Sequence, residues 1–351
     1  MKLLFSVICG NFEGRNILHT PRPLTEVAKA LGMSEEQVRT AIEESKDILY
    51  EARRQRPPPL RDEKILTSWN GLMISAYARA ALALGNERYA QRAERAAGFL
   101  LQKLRKSDRL YRSFNDGRAQ HDAYLDDYAF LTAGLLDLFE ATGDTRRLRE
   151  AISLDRVVEA NYEDRSGGGF FLTADDHERL LARERPSSDG AEPSGSSVEM
   201  LNLLRFSELT TNAAYRKRAE RAFTALGGAL QSSPAAVSEA LLALDFFLDS
   251  AKEIVIVTRR SRAEAEPLLA RLRARYVPNR VLLVAAEGRP VAELARLVPL
   301  VEGKVAGKGQ AMAYVCKRGV CDLPTADPAV FEKQIRQVDH LPGAVEKHAT
   351  R

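Results

Sequence analysis

Helical periodicity dominates the hydrophobic pattern of the chain as far as about residue 250. Three segments, which begin near residues 69, 125 and 196, are apolar nearly all round, and each precedes a segment with a strongly charged face. A further apolar helix is predicted over 234–250. A helix that is hydrophobic on all sides is buried, whereas one with a charged face lies outside. The order therefore predicts a series of helical hairpins, each with one inner and one outer helix.

The spacing of these hairpins favours a ring over a linear stack. The equivalent helix starts Asn70, Asp127 and Ser197 lie 57 and 70 residues apart (127 − 70 and 197 − 127), which is too long and too uneven for a solenoid repeat. We therefore expect an (α/α) toroid of helical hairpins over residues 1–250. Its inner helices run in one direction, so their unsatisfied N–H groups and partial positive charge gather on one face. A functional site is expected on that face.

The pattern changes after residue 250, where "EIVIVT" and "VLLVAA" flank a predicted helix. This order predicts a small α/β unit over residues 251–351. The segment "TRRSRAEAE" between the first strand and the helix contains no glycine, which argues against a phosphate-binding loop. No cofactor is expected.

Composition and charge narrow the classes of partner. The chain has 351 residues, of which 45% are apolar, and its net charge of +4 is spread among interleaved acidic residues. This balance argues against nucleic acid as a partner, and no run approaches the roughly 20 apolar residues of a membrane helix. Three cysteines, Cys9, Cys316 and Cys321, are too few for a secreted disulfide framework. We expect a cytoplasmic protein.

The loops that lead into the inner helices contain the residues best suited to bind a ligand. Trp69 offers a flat apolar face and an N–H group for a sugar, and Asn70 adds a donor and an acceptor. The alternative is that Trp69 packs in the core and Asn70 caps the helix. Further ligand-binding candidates on the same face are Tyr128, Arg183, Arg185 and Ser194. The two arginines would hold an acidic sugar, or would lie on the solvated edge of a β-hairpin predicted after Gly167–Gly169.

Carboxylates and one histidine near the helix starts are the catalytic candidates. Asp126 and Asp127 suit acid/base chemistry, because burial and backbone N–H groups can separate the pKa values of two neighbouring carboxyls; the alternative role is helix capping. Asp189 would be the second carboxylate of a hydrolase pair or part of an Asp-Gly turn. His121 would be a general base. A second suitably placed histidine, which a two-histidine epimerase mechanism needs, is missing.

Cys316 and Cys321 have four residues between them. A zinc site is not expected, because the third cysteine is remote and no histidine is near. The pair is either redox-active or a plain reduced pair.

Several motifs resemble one known family. The strings "GNFEGRNILH", "KILTSWNGLMI", "LDDYAFLTAGLLDLFEATGD", "GGGFF", "DGAEPSGSSVEML" and "AYVCKRGVCDLPTADP" together resemble the spermatogenesis-associated protein 20 family of thioredoxin-domain-containing proteins. The helical part of that family is similar to six-hairpin glycosidases and N-acylglucosamine 2-epimerases. Ser196 departs from the asparagine that the family motif has at this position.

The resemblance covers a C-terminal portion of the family's pattern. It implies that the thioredoxin-like domain and the first hairpins are absent, so that the ring is incomplete. A partner chain or a thioredoxin-like domain would then cover the open side, and Cys316 and Cys321 would exchange with such a domain.

Two functions follow as expectations. The first is a carbohydrate-active enzyme, glycosidase- or epimerase-like, that binds a sugar at the N-terminal ends of the inner helices. The second is a non-catalytic binding module that works with a thioredoxin-like redox domain.

Overall fold

A computed structural model describes residues 12–14, 17, 19–178, 181–307 and 309–337. Its contacts divide the chain into two compact units, Met1–Glu63 and Lys64–Arg351. The first unit contains helices α1 (Leu24–Leu31) and α2 (Glu35–Arg54). The second unit contains both the helical hairpins and the α/β segment. The boundary that the sequence predicts between these two parts lies at residue 250. None of the described helices is long and apolar enough to cross a bilayer. Cys9 lies outside the described residues.

The predicted hairpins form an arc of seven helices in the described part of the second unit. They are α3 (Thr67–Leu84), α4 (Glu87–Lys103), α5 (Leu125–Thr142), α6 (Thr145–Asn161), α7 (Gly195–Thr210), α8 (Ala213–Ser232) and α9 (Ser238–Leu248). Helices α3, α5, α7 and α9 pack side by side in this order, and α4, α6 and α8 pack outside the first three. Fourteen of the 18 residues of α5 are buried, against six of the 17 in α6. The predicted mainly helical array is confirmed as an open arc of a toroid.

A small antiparallel sheet that was not predicted holds the start of α3. It consists of β1 (Ile65–Leu66), β2 (Arg105–Lys106), β3 (Arg109–Asn115) and β4 (Arg118–Asp122), with β3 in contact with the other three. The Thr67 hydroxyl donates to the Tyr111 carbonyl at 2.6 Å, which joins α3 to β3. The hairpin predicted after Gly167–Gly169 is wrong. That segment has one isolated bridge, and Asp164 instead accepts the N–H groups of a tight turn at Ser166 and Gly167.

The C-terminal α/β segment confirms the predicted β-α-β order and extends it. It contains β5 (Lys252–Thr258), α10 (Glu266–Arg273), β6 (Arg280–Ala286), α11 (Arg289–Ala295), β7 (Met312–Lys317), β8 (Val320–Cys321) and α12 (Pro328–Arg336). The strand order is β6-β5-β7-β8, with β5 parallel to β6 and antiparallel to β7.

The two faces of this sheet join different cores. Side chains alternate along a strand, so Val255 and Val257 belong to the main core of the helical arc. Ile254 and Ile256 face the opposite way and pack in a second cluster with residues of α10 and α12. The sheet therefore seals one side of the arc while its other face carries its own helices.

Helices α3 and α5 cross where each has a glycine. A Cβ atom on Gly71 would lie 2.6 Å from the backbone N of Leu131, and one on Gly134 would lie 2.7 Å from the carbonyl oxygen of Gly71. Distances this short leave no room for a methyl group. The two glycines thus let the inner helices approach backbone to backbone.

The starts of α3 and α5 share one buried carboxylate. Asp127 is fully buried, and its two oxygens accept the N–H groups of Ser68 and Tyr124, each at 2.9 Å. Arg112 lies 3.3 Å from the same carboxylate. Burial raises the pKa of Asp127 to about 6, because it outweighs the two N–H groups and the Arg112 guanidinium. Asp127 therefore ties two inner helices together at their N-terminal ends.

The close helix crossing predicts a position-specific cost for a single methyl group. Gly71→Ala should lower the free energy of unfolding by about 1–3 kcal/mol, because the backbones of α3 and α5 must separate. Gly98→Ala on α4 is the matched control, because a Cβ there meets nothing within 4 Å and alanine favours a helix by roughly 0.5–1 kcal/mol. Urea unfolding curves of both variants measure the difference. Equal stabilities would show that the crossing is looser than described.

The raised pKa of Asp127 predicts a pH dependence of stability. Its folded-state pKa lies above the ordinary value of 3.8, so the contribution of this group is complete below about pH 4 and is lost as the pH rises through about 6. The loss should be on the order of 3 kcal/mol. Asp127→Asn should remove this slope between pH 4 and 6 in urea unfolding experiments.

Asp144→Asn is the control for the sign of this effect. Asp144 caps α6, and although burial raises its pKa, hydrogen bonds from Arg146 lower it overall. Its contribution is therefore lost as the pH falls, which is the opposite direction. A slope that persists in Asp127→Asn would assign the effect to another group.

Candidate functional site

A cavity of about 640 Å³ lies at the N-terminal ends of α3, α5 and α7. This is the face on which the direction of the inner helices predicts a site. Its lining residues include Trp69, Leu72, Asp126, Glu184, Glu192 and Ser194. The loop before α7 supplies most of the wall, and α3 and α5 contribute one to two residues each.

Trp69 stands at this cavity with 60% of its surface exposed. Its indole N–H donates to the Glu192 carboxylate at 2.7 Å. The side chain is thus fixed at one edge while its ring remains accessible, and the alternative of a core tryptophan does not hold. Asn70 donates to the carbonyl of Leu66 at 2.8 Å, so its amide supports the start of α3.

Asp126 is the one predicted catalytic carboxylate that lines the cavity. It is half-buried, and one oxygen accepts the N–H of Gly195 at the first turn of α7 at 2.8 Å. Burial is the largest influence and raises its pKa, the Gly195 N–H opposes this, and the negative charges of Glu192 and Glu184 add to the rise. The three carboxyls therefore share one electrostatic environment.

Glu184 and Glu192 are site residues that the sequence did not reveal. Both lie in the loop "RERPSSDGAEPSGSS", which the sequence marked as unusual through its aspartate and serines. The hydrogen bond from Trp69 to Glu192 spans 123 residues along the chain. No local pattern could have paired these two side chains.

Asp127 and Asp189 satisfy helix starts outside this cavity. Asp127 is the buried cap described above. Asp189 accepts the N–H of Ser194 through one oxygen and that of Glu239 through the other, each at 2.9 Å. It therefore joins the starts of α7 and α9. The described lining of the cavity contains neither residue.

Tyr128 and His121 also lie away from the cavity. Tyr128 is 1% exposed, and its hydroxyl accepts the N–H of Leu110 at 2.8 Å, so it belongs to the core and corrects the prediction of a ligand contact. His121 is exposed on β4 with a left-handed backbone (φ 61°). The described lining of the cavity does not include it.

The two arginines that were predicted to bind a ligand contact other groups of the protein beside the cavity. Arg183 donates to the carbonyls of Asn161 and Thr173 and lies 4.0 Å from the centre of the Phe171 ring. Arg185 pairs with Asp164. Ser194 does line the cavity, where its hydroxyl accepts the N–H of Ser197 at 3.1 Å as the cap of α7. The arginines thus brace the loop, whereas Ser194 keeps a place on the wall.

A second cavity of about 430 Å³ lies at the opposite ends of the inner helices, against the α/β segment. Its arginines are already paired. Arg205 bridges Asp137 and Glu140, Arg79 also pairs with Asp137, and Arg280 with Glu140. Among the described residues, no group of three His, Cys, Asp or Glu side chains is placed to hold a metal ion.

Cys316 and Cys321 are joined by a disulfide between β7 and β8. This differs from the expectation of a plain reduced pair. The antiparallel register brings the two residues directly opposite each other. Their spacing in the sequence, with four residues between them, did not predict this pairing.

Comparison of the sequence with known proteins finds relatives that share one name. No family model matches the chain. Spermatogenesis-associated protein 20 of Homo sapiens is 33% identical over 335 residues, which are 92% of this chain and 42% of the human protein. The protein of the same name from Rattus norvegicus is 32% identical over 339 residues, 93% of this chain and 43% of the rat protein.

Solved structures that resemble this chain align with only part of it. Cellobiose 2-epimerase from Spirochaeta thermophila is 17% identical and aligns with a TM-score of 0.40 over 48% of this chain and 43% of that chain. A family 105 glycoside hydrolase from C. acetobutylicum is 16% identical, with a TM-score of 0.39 over 60% of this chain and 61% of that chain.

The sequence matches agree with the motif resemblance along nearly the whole chain. The chain spans about two fifths of the length of the curated relatives it matches. The chain is therefore similar to spermatogenesis-associated protein 20 along nearly its whole length.

Proposed function

We propose that the cavity at the N-terminal ends of α3, α5 and α7 binds a sugar. The observation that carries this proposal is the exposed ring of Trp69, held beside the carboxyls of Asp126 and Glu192. A sugar ring presents an apolar C–H face and a rim of hydroxyls. An indole suits the first and carboxylate oxygens suit the second.

The charge of the cavity supports a neutral or amino sugar as the ligand. Asp126, Glu184 and Glu192 line it, and its described lining residues include no lysine or arginine. Arg183 and Arg185, which the sequence offered for an acidic sugar, are held by backbone carbonyls and by Asp164. A uronic acid would therefore be repelled, whereas an ammonium group would be attracted.

A glycosidase- or epimerase-like reaction is the catalytic form of this proposal. Asp126 is suited to donate a proton, because its raised pKa favours the protonated carboxyl. Glu192 or Glu184 would be the second carboxyl. Asp127 and Asp189 do not enter this scheme, because their oxygens are committed to helix starts.

Because Asp127 and Asp189 are hydrogen-bonded to helix starts, a second candidate function is also favoured. A module that binds a ligand without turnover, in company with a thioredoxin-like domain, needs the cavity and Trp69 but no carboxylate pair. The two candidates share the binding site and differ only in whether product forms.

Fluorescence of Trp69, the only tryptophan of the chain, tests the proposal directly. Titration with neutral and amino disaccharides should give a saturable change in emission, and matched uronic acids should give a weaker one. Trp69→Ala should weaken the affinity measured by calorimetry roughly three- to tenfold, because it removes the stacking surface. A flat response to every sugar would contradict the proposal.

Two variants separate the site from the fold. Asp126→Asn should alter affinity or abolish turnover, whereas Asp144→Asn, the remote cap of α6, should leave both unchanged. Product analysis by chromatography then decides between the two candidate functions. Saturable binding without product supports the binding module.

A further inference from the structure

The β7–β8 hairpin presents its two cysteines as a fixed pair. Cys316 and Cys321 are direct partners in the antiparallel register. The two-residue turn that joins the strands has Arg318 and Gly319 at positive φ (51° and 79°), the conformation that favours a tight hairpin. The turn and the ladder therefore keep the two sulfur atoms adjacent whether or not they are bonded.

The two sulfurs differ in accessibility. Cys316 is 0% exposed and belongs to the main hydrophobic core, whereas Cys321 is exposed on the edge strand β8. Val320 and Leu323 flank Cys321 and are 76% and 86% exposed. An incoming thiol can therefore reach Cys321 across an apolar surface beside an unpaired strand edge.

A buried carboxyl lies next to Cys316 on the same face of the sheet. Glu253 on β5 is the register partner of Cys316 on β7, and side chains of such a pair point the same way, with Cβ atoms about 4.5–5.5 Å apart. Glu253 is 4% exposed, and its Oε2 atom has no hydrogen-bond partner among the described residues. A buried carboxyl oxygen without a hydrogen-bond partner is costly for folding alone.

Glu253 is also paired with a second carboxyl. The negative charge of Glu208 on α7 acts on Glu253 and disfavours its ionisation. The charged groups that face this pair are Arg216, 4.0 Å from Glu208, together with Arg318 and Lys304, and the N–H of Gly319 also acts on Glu253. Burial and the neighbouring Glu208 raise the pKa of Glu253 to about 7 despite these groups.

We propose that Cys316 and Cys321 form a thiol–disulfide exchange site in which Cys321 is the attacked sulfur, Cys316 the leaving sulfur and Glu253 the proton donor to Cys316. The reaction partner is a dithiol, which docks on β8 through Val320 and Leu323. This inference does not depend on the sugar site, because the two sites share no residue.

The exchange balances as a two-electron reaction. A thiolate of the dithiol attacks Sγ of Cys321, the bond between the two sulfurs breaks, and the Cys316 thiolate takes a proton from Glu253. The second thiol of the partner then loses its proton and attacks the mixed disulfide, which releases Cys321 and oxidises the partner to its disulfide. Solvent returns a proton to Glu253 and protonates Cys321. A buried thiolate is unfavourable in an apolar environment, which is why a proton donor beside Cys316 matters.

The test measures the rate at which dithiothreitol reduces the oxidised 351-residue chain between pH 6 and pH 9. Samples of the chain and its variants, all carrying Cys9→Ser, are quenched by alkylation, and the mass increase counts the free thiols of Cys316 and Cys321. After correction for the thiolate fraction of dithiothreitol, the rate should fall as the pH rises through about 7. Glu253→Gln should be slower at pH 6 by roughly tenfold or more and should converge with the unaltered chain above pH 8.

Matched variants separate proton donation from structure. Glu208→Gln keeps the Glu253 carboxyl but removes its negative neighbour, so the fall in rate should move to lower pH. Glu199→Gln changes another buried carboxyl of α7, nine residues earlier on the helix, and should leave the profile unchanged. A Glu253→Gln profile that matches the unaltered chain, or that is displaced by one factor at every pH, would overturn the role of Glu253.

Single cysteine variants test the direction of attack. In a Cys9→Ser background, Cys316→Ser leaves the exposed Cys321, which should react with an aromatic disulfide reagent at least about tenfold faster than the buried Cys316 left by Cys321→Ser. Equal rates, or a faster reaction at Cys316, would overturn the assignment. So would free thiols that persist in the Cys9→Ser chain after incubation with oxidised glutathione.

Discussion

The unsatisfied N–H groups at the start of each inner helix are the constraint on which the arc depends. A helix leaves its first N–H groups without partners, and burial makes each of them costly. Three aspartates accept hydrogen bonds from such N–H groups and so connect neighbouring helices. Asp127 serves α3 and α5, Asp126 reaches from α5 to α7, and Asp189 joins α7 to α9. The residues that looked most catalytic are thus the ones that set the helices side by side.

The same chemistry explains why the candidate site could be predicted only in part. A carboxylate at a helix start satisfies the sequence pattern of an acid/base group and of a cap equally well. The difference lies in whether its oxygens find N–H groups of another helix, which is a property of the assembled arc. Asp126 accepts one backbone N–H and lines the cavity, whereas Asp127 and Asp189 each accept two backbone N–H groups and lie outside its described lining.

The fold was easier to predict where a buried segment has a clearly apolar composition. Helix α5 is apolar on nearly every side and was placed within a few residues, as was β5, which is buried along its whole length. Strands β2 and β4 could not be found, because a strand such as Arg105–Lys106 has no alternation to detect. The turn after Gly167–Gly169 resembled a hairpin because glycine and apolar residues mark both. The outcome rested on Asp164, whose side chain accepts the N–H groups of Ser166 and Gly167 in the turn.

Bonds between neighbouring hairpins also change how the arc can come apart. In linear repeat arrays the stability is a sum of local terms, so the end repeats open before the middle. Here the first helix of the arc, α3, is held at its start by a buried group of α5, and α9 is held by the loop that precedes α7. Neither end can fray without exposing a partner that belongs to its neighbour. The arc is therefore built to melt as one cooperative body, and an arc that moves as one body keeps the N-terminal ends of its inner helices in register.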